Sequence, residues 1–451
     1  MGAQFKRIEA QDLATIPAVD SAGGIDLSPD GSEVVFAWDR TGGLEIYSAP
    51  LSGDRIIQLT TADRRSWGPR WSPDGRWVAF IRDEGDGWPQ IALVDRDGEH
   101  DRALSAEPAA HADLDWSPDG RAIAYVASTT GSDATLHVVE VATGEDRQIA
   151  PRPARGPRWS PDGKWILFTS PGRSTMQLML APAAGGEPRA LAIDGSANGG
   201  RWSPDGSAIA FTHESDGHST VAIAHLRDGN VARIERFSAT PFDDTDPAWR
   251  PDARGIVYRH HQNGDVSLRR AFTISHADEA VADLPGTHTS PAVGRDSESV
   301  VAVLSQARLP GDIVYRPAGA IEIQRITRSL PASIDPFGLV EPIIVEVPEG
   351  GSAFLYLPHV EAAGTRPSTG TLIVRDELRR EWDPLAQLFA NRGLVVLAAA
   401  TADDAKRGGA WLEAEGLARH ASLFEGGVPA TPRNDRIGAF RGAADWAETA
   451  R

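Results

Sequence analysis

Hydrophobic and polar residues alternate in short runs along the first two thirds of the chain. Runs at 77–81 and 166–169 place every second side chain on one face, and a period of two predicts β-strands with at least one buried face. Each is followed by another run, for example 90–95, that ends in an Asp-Gly, Thr-Gly or Gly-Gly turn. The pattern predicts a mainly β protein built from short antiparallel strands.

A five-residue motif, Trp-Ser-Pro-Asp-Gly, precedes these strands and recurs along the chain. Its copies, of which the last two diverge, begin at Leu27, Trp71, Trp116, Trp159, Trp202, Trp249 and Val293. The steps between them are 44, 45, 43, 43, 47 and 44 residues. Seven copies at this period, with four strands in each, predict a seven-bladed β-propeller over residues 21–329.

The residues of the motif have a structural interpretation and a functional one. Proline presets φ, aspartate accepts local hydrogen bonds and glycine tolerates positive φ, so Ser-Pro-Asp-Gly is a turn. The functional alternative is a ring of binding residues formed by the repeated Asp and Trp. We favour the structural interpretation, in which Trp packs between blades and Asp secures the turn.

From about residue 330 the period stops. Strands are predicted at 342–347, 352–357, 371–374 and 394–400, and helices at 383–391 and 434–450, with Ile437, Phe440, Ala444 and Trp446 available for packing. Strand–helix alternation predicts a parallel α/β sheet. The domains expected are a lead-in at 1–20, the propeller at 21–329 and a small α/β domain at 330–451.

Charge and composition narrow the choice of partners. There are 63 acidic and 45 basic residues, a formal charge of −18, which disfavours nucleic acid. Arg152, Arg155 and Arg158 alternate with prolines and are interpreted as a loop rather than a basic patch. The absence of cysteine excludes disulfides and thiolate chemistry. Without a signal-like or membrane-spanning run, a cytoplasmic protein with no membrane partner is expected.

Four segments carry a resemblance to a known family: the lead-in 10–17, the Ser-Pro-Asp-Gly blades, the segment 340–358, and 384–398 with its continuation at 409–414. The blades are TolB-like, and together the four segments resemble the prolyl oligopeptidase family, including its acylaminoacyl-peptidase and dipeptidyl-peptidase-like members. The resemblance implies that residues 330–451 correspond to the start of an α/β-hydrolase domain.

The sequence departs from that family where catalysis is expected. The family's His-Gly-Gly run, which helps to form the oxyanion site, corresponds to Arg375-Asp376-Glu377, and its Asn-Tyr-Arg-Gly run to 400–403. A Gly-x-Ser-x-Gly nucleophile elbow is absent from the sequence. The chain ends at Arg451, after the helix that precedes the elbow in the family, so we expect an incomplete hydrolase-like domain.

Other constellations do not replace the missing residues. The candidates in the tail are His359, His420, Ser329, Ser333, Ser352, Ser368 and Ser422. None stands in a recognisable nucleophile setting. The cluster His260, His261, His276 and His288 lacks metal-ligand spacing, and 242–246 lacks the glycine and glutamate of a calcium loop, which leaves an acidic loop as its interpretation. No catalytic, cofactor-binding or metal-binding residue is predicted, and no cofactor.

Two functions therefore stay open. The first is a catalytically inactive relative whose propeller binds a peptide or protein at its channel or at the tail surface. The alternative is the non-catalytic portion of a serine peptidase whose nucleophile half lies on a companion chain or is missing from this sequence. A TolB-like periplasmic scaffold is a weaker third hypothesis. The exposed sheet of a short tail is expected to pack on the propeller, on residues 8–16 or on a second copy.

Overall fold

The structure is a computed structural model. It describes residues 7–447 except 62–63, 84, 86, 106–108, 130–132, 216, 238–242, 276, 283, 360–367, 376–377, 425–438 and 441–442. In this part of the chain, no helix combines the length and the apolar character needed to cross a bilayer.

Twenty strands form five antiparallel sheets of four, each in chain order. The first sheet holds β1 (Ile25–Leu27), β2 (Glu33–Trp38), β3 (Glu45–Pro50) and β4 (Ile57–Gln58). The second holds β5 (Ser66–Trp71), β6 (Trp77–Arg82), β7 (Gln90–Asp95) and β8 (Asp101–Ala103). The third holds β9 (Ala110–Trp116), β10 (Ala122–Ser128), β11 (Thr135–Glu140) and β12 (Asp146–Pro153). The fourth holds β13 (Arg155–Trp159), β14 (Trp165–Pro171), β15 (Met176–Pro182) and β16 (Arg189–Ala190). The fifth holds β17 (Ser196–Trp202), β18 (Ala208–Ser215), β19 (His218–Arg227) and β20 (Asn230–Arg236).

Eight further strands form one larger sheet, in which a parallel bridge between Val266 and Thr287 joins two groups of four. They are β21 (Asp243–Trp249), β22 (Gly255–Gln262), β23 (Asp265–Phe272), β24 (Asp278–Ala282), β25 (Thr287–Val293), β26 (Val300–Gln306), β27 (Leu309–Arg316) and β28 (Gln324–Arg325). The last group closes against the first, since Ile25 packs in one cluster with Val301 and Ile313. The propeller architecture predicted from the repeat is thus confirmed.

The motif residues make local turns, as the structural interpretation predicted. In the clear copies the serine hydroxyl donates to the aspartate two residues on, for example Ser160 to Asp162 at 2.6 Å, and accepts the N–H of Trp165 at 3.0 Å. The motif tryptophans link neighbouring sheets: Trp116 Nε1 donates to the carbonyl of Arg70 at 3.1 Å. These contacts account for the regular spacing of the motif without any ligand.

In six groups the first strand contains a residue in the left-handed region, four residues before the motif serine or its equivalent, and in the first group this residue directly precedes β1. These residues are Gly24, Gly68, Asp113, Gly156, Gly199, Asp246 and Ser290, with φ between 50° and 76°. In every group but the first, the ladder register also shifts at this point. The repeat therefore includes a β-bulge, which redirects the side chain that follows it.

Two sequence expectations about loops are wrong. Arg152 lies in β12, and Arg155 and Arg158 lie in β13, because prolines are tolerated at strand ends and bulges. Residues Asp243 and Asp246 lie in β21 rather than in an acidic loop. Asp246 occupies the bulge, a conformation that aspartate adopts more readily than most residues. Residue 242 lies outside the described part.

The tail contains a five-stranded sheet in the order β29-β30-β32-β31-β33. Its strands are β29 (Ile343–Glu346), β30 (Ser352–Tyr356), β31 (Ser368–Val374), β32 (Val395–Ala399) and β33 (Ala418–Leu423). Its helices are α2 (Pro384–Asn391) and α3 (Ala402–Ala414); α1 (Ala10–Ala14) lies near the chain start, and Pro336–Gly338 forms a 3-10 turn.

The parallel α/β sheet expected for the tail is corrected to a mixed one. Only β31 pairs in parallel, with β32 and with β33, whereas the β29–β30 hairpin adds antiparallel strands. The hairpin forms because a tight turn at 349–351 cannot support a crossover. Of the helix expected at 434–450, residues 439–440 and 443–447 are helical and the rest lie outside the described residues.

The tail packs on the propeller and on the chain start, two of the three expected surfaces. Ile8 and Leu13 are buried in one cluster with Leu339 and Phe389. The backbone N–H of Ile8 donates to Asn391 Oδ1 at 2.8 Å. The lead-in segment therefore packs against the tail domain.

Candidate functional site

A cavity with a volume of about 1050 Å³, called the channel below, lies among the first strands of the seven groups. The residue two positions after each bulge lines it, and the bulges explain why these side chains face inward. In chain order these residues are Asp26, Arg70, Asp115, Arg158, Arg201, Ala248 and Ala292. Five of the seven equivalent positions therefore carry charge. Arg158 and Arg201 occupy the positions of two successive groups of strands.

The two aspartates in this set join neighbouring sheets. Asp26 Oδ2 accepts the backbone N–H of Trp71 at 2.8 Å, and Asp115 Oδ2 accepts that of Trp159 at 2.8 Å. Burial raises the pKa of Asp26 to about 6, although nearby Arg70 opposes the rise. Burial likewise raises the pKa of Asp115. Each carboxylate thus accepts a hydrogen bond from the backbone of the next sheet.

The three arginines have a different environment. The three residues are half-buried, and their guanidinium groups donate to backbone carbonyls: Arg70 to Pro69 at 2.7 Å and Arg158 to Pro157 at 2.6 Å. The charge of Arg158, followed by burial, lowers the pKa of Arg201 to about 9. Burial, followed by the charge of Arg158, lowers the pKa of Arg70. Positive charge is therefore concentrated around Arg158.

The tail reaches the propeller beside the channel. Arg380 donates its backbone N–H to the carbonyl of Gly264 at 2.6 Å, and its guanidinium lies 3.0 Å from Asp265. Arg379 lies near Arg259 and Asp246, and these two residues are themselves paired at 2.8 Å. Because Asp246 lines the channel, the segment around 379–381 stands at its rim.

Glu381 belongs to the same rim. Burial raises the pKa of its carboxyl, while the charges of Arg379, Arg375 and Arg259 counteract the rise. The rim is therefore an ionic junction between tail and propeller.

Arg375, which the sequence resemblance aligns with the first residue of the His-Gly-Gly run, directly follows β31. Its guanidinium makes two hydrogen bonds to Asp383, both of 2.9 Å, and Asp383 also caps α2 through the N–H of Ala386 at 3.0 Å. The positive charge is thus neutralised by a carboxylate of its own domain. Asp376 and Glu377 lie outside the described residues.

The serines and histidines of the tail have contacts of other kinds. Ser352 donates to Glu346 at 2.8 Å, Ser329 donates to the carbonyl of Gly311 at 3.1 Å, and His420 lies 3.5 Å from Glu413. The side chain of Ser368 lies outside the described part. These described hydroxyls act as structural donors.

The histidine cluster separates into individual contacts. His260 bonds Asp244 at 2.7 Å, His261 bonds Thr245 at 3.0 Å, and His288 bonds a carbonyl in the core at 2.8 Å. Burial lowers the pKa of His261 to about 4. His276 is outside the described residues. Within those residues, no group of three His, Asp or Glu side chains is close enough to share a metal ion.

Sequence reasoning did not identify the arginines of the channel. Their signal was nevertheless present: the residue immediately before each motif tryptophan is Arg70, Asp115, Arg158 or Arg201 in the four clearest copies. The missing information was the bulge, which decides that this residue, rather than its neighbour, faces the channel.

Comparisons with known proteins agree with this architecture. The family model for the TolB beta propeller domain matches residues 7–151 and 111–292, so the chain belongs to that family. The peptidase YuxL of Bacillus subtilis, described as uncharacterized, is 27% identical over 211 residues, 37% of this chain and 31% of that protein. A TolB homolog of Chlorobium luteolum is 30% identical over 163 residues, 35% and 36% of the two chains. The matches thus span about a third of these relatives.

Solved structures extend the likeness to the tail. A puromycin-hydrolyzing peptidase of Mycobacterium tuberculosis superposes with a TM-score of 0.76 over 97% of this chain and 77% of its own, at 15% identity. The acylaminoacyl peptidase of Pyrococcus horikoshii superposes with a TM-score of 0.67 over 89% of this chain and 69% of its own, also at 15% identity. At this identity the likeness concerns the fold. The resemblance to prolyl oligopeptidase and acylaminoacyl peptidase structures expected from the sequence is confirmed.

Proposed function

We propose that this chain is a binding protein that holds a peptide or protein segment in its propeller channel and does not hydrolyse it. The observation that carries the proposal is the channel itself, about 1050 Å³ in volume and lined by charged residues at five of seven equivalent positions. Such a volume exceeds that of most sites for small molecules, about 300–1000 Å³, and suits a peptide segment.

The absence of hydrolysis is supported by the tail. An oxyanion site needs donors that are free to face the developing charge. The backbone N–H of Arg375 already donates to the carbonyl of Ala399 at 2.9 Å, and its guanidinium makes two hydrogen bonds to Asp383. A sequence without Gly-x-Ser-x-Gly also offers no nucleophile on the usual turn.

We also propose that the propeller has seven blades, with the eight-stranded sheet counted as two. Support comes from the residue with positive φ, which occurs once in each of seven groups of four strands, and from the register shift beside it in six of them. The tail would then be an incomplete hydrolase-like domain whose role is to border the channel.

The experiment is affinity ultrafiltration of a defined peptide pool, such as a tryptic digest of casein, followed by mass spectrometry. We expect a subset of peptides to be retained intact. Ala112→Trp, which adds bulk in the channel wall, should reduce retention, whereas Ala142→Trp, at an exposed turn, should not. New cleavage products, or retention that Ala112→Trp leaves unchanged, would contradict the proposal.

A further inference from the structure

The seven channel positions are electrically unequal. Going around the ring in chain order, the aspartates at 26 and 115 alternate with arginines at 70 and 158, but Arg201 follows Arg158 directly and is followed by Ala248. Arg201 therefore has an arginine on one side and an uncharged residue on the other. The repulsion between the two arginines is what chiefly lowers the pKa of Arg201.

Aspartates at 26, 113, 115 and 246 act on Arg70 or Arg201 from beyond contact distance, so no described carboxylate pairs directly with the three arginines. Within the described residues, none of them forms an ion pair, and their side-chain hydrogen bonds go to backbone carbonyls. Other half-buried or buried arginines of the propeller differ: Arg250 is paired with Asp252 at 2.7 Å and Arg259 with Asp246 at 2.8 Å. Each guanidinium has five donors in a planar fork, so most donors of the channel arginines stay available.

Each of the nearby acids uses one carboxylate oxygen for another partner. Asp26 and Asp115 accept backbone N–H groups of the next sheet. Asp113 accepts the N–H of Gly156 at 3.0 Å, and Asp246 is paired with Arg259. Three converging cations without a carboxylate at contact distance are the arrangement that an anionic ligand stabilises.

We propose that Arg70, Arg158 and Arg201 form an anion-binding site in the channel that takes a carboxylate group of a peptide ligand. This inference rests on the proposed peptide binding and adds the chemical class of the anchoring group. The carboxylate has two sources, the C-terminus of the peptide or an acidic side chain. Arg158 is the central residue, because its charge acts on both of the others.

The test is isothermal titration calorimetry at low salt with three N-acetylated pentapeptides. They are pentaalanine with a free C-terminus, pentaalanine amide, and the same amide with its central alanine replaced by glutamate. We expect one or both acidic peptides to bind at least about tenfold more tightly than pentaalanine amide. The stronger of the two identifies the source of the carboxylate. Equal affinities for the acidic and neutral peptides would overturn the site while leaving peptide binding intact.

Two variants locate the binding. Arg158→Gln keeps a donor for the carbonyl of Pro157 and should remove the preference for acidic peptides. Arg155→Gln, on the same strand but exposed, is the matched control and should keep it. As a second variant, Ala248→Glu supplies an internal carboxylate beside Arg201 and should also weaken the binding of acidic peptides. Acidic-peptide affinity that is unchanged in both channel variants would overturn the proposal.

Inorganic phosphate separates this inference from the function on which it rests. If no peptide binds but phosphate raises the melting temperature of the wild-type protein and not of Arg158→Gln, the anion site stands and the peptide-binding function fails. If neither peptide nor phosphate gives an Arg158-dependent effect, both fail.

Discussion

At the residue scale, one repeated β-bulge decides which side chain meets the channel. Positions 26, 70, 115, 158 and 201 share a backbone setting but carry opposite charges. The aspartates use their oxygens to join sheets, and the arginines retain their donors. Chemistry can therefore vary at these positions without a change in the fold, because the turns and strands are specified by other residues.

Asp26 makes stability depend on pH. The groups acting on it are Arg70, Asp115 and the N–H groups of Trp71 and Leu27. Its pKa of about 6 in the folded protein exceeds the ordinary 3.8, so the folded state binds the proton more tightly. The stability that protonation provides is complete below about pH 4 and is lost as the pH rises through 6. In urea unfolding at pH 7.5, Asp26→Asn should therefore have a free energy of unfolding up to about 3 kcal/mol higher than that of the wild type. At pH 4 the two free energies should be equal.

The control for Asp26 is an aspartate with the opposite shift. Hydrogen bonds from the hydroxyls of Ser28 and Ser32 hold the pKa of Asp30 below its ordinary value. Its contribution to stability is present above about pH 4 and is lost at lower pH. Asp30→Asn should thus be less stable than the wild type at pH 7.5. Two variants that shift in the same direction at that pH would contradict the assignment.

At the scale of elements, the turn of the β22–β23 hairpin contacts the tail sheet through Gly264, which faces Phe354. A Cβ on Gly264 would lie 2.5 Å from Phe354, whereas one on Gly217, in the β18–β19 turn, would meet nothing within 4 Å. Both glycines have positive φ, at +76° and +82°. The two positions therefore carry a similar backbone cost for alanine but differ in contact.

This pair isolates the contact between propeller and tail. Gly217→Ala should lower the free energy of unfolding in urea by about 1 kcal/mol through backbone strain alone. Gly264→Ala should lower that free energy by about 1–3 kcal/mol more, because Phe354 or the hairpin must shift. It should also speed cleavage of the tail in limited proteolysis. Equal losses in the two variants would show that the hairpin does not support the tail.

The elements that the sequence predicted are those whose signals are local. The turn at Ser160–Asp162 and the helix that Asp383 caps both depend on residues a few positions apart. The charged channel and the Arg375–Asp383 pair depend on how strands bend and on which groups meet across the fold. Residues 152–158 illustrate the limit: their prolines suggested a loop, but a strand end and a bulge accept the same residues.

At the scale of the whole molecule, the chain start connects propeller and tail. Asn391 accepts the N–H of Ile8 at 2.8 Å, and Arg392 donates to the carbonyl of Ile8 at 3.1 Å, both in buried surroundings. The segment 8–16 also shares its apolar cluster with α2. Docking of the tail is therefore coupled to docking of the first residues described.

Asn391→Ala should uncouple these two segments. Leaving the buried N–H of Ile8 without its acceptor costs about 1–3 kcal/mol, so we expect faster proteolysis of both the chain start and the tail. Asn230→Ala, beside an exposed turn, is the control and should leave the digestion pattern unchanged. Release of the tail alone, with the chain start still protected, would contradict the coupling.

The proposed function requires that this propeller protein binds its ligand without hydrolysing it. This can be tested by labelling the purified chain with a fluorophosphonate and measuring its intact mass. We expect no mass increase, because the sequence has no nucleophile elbow to activate a serine. A stoichiometric adduct on any serine of this chain would reveal an activated nucleophile and would contradict the proposed function.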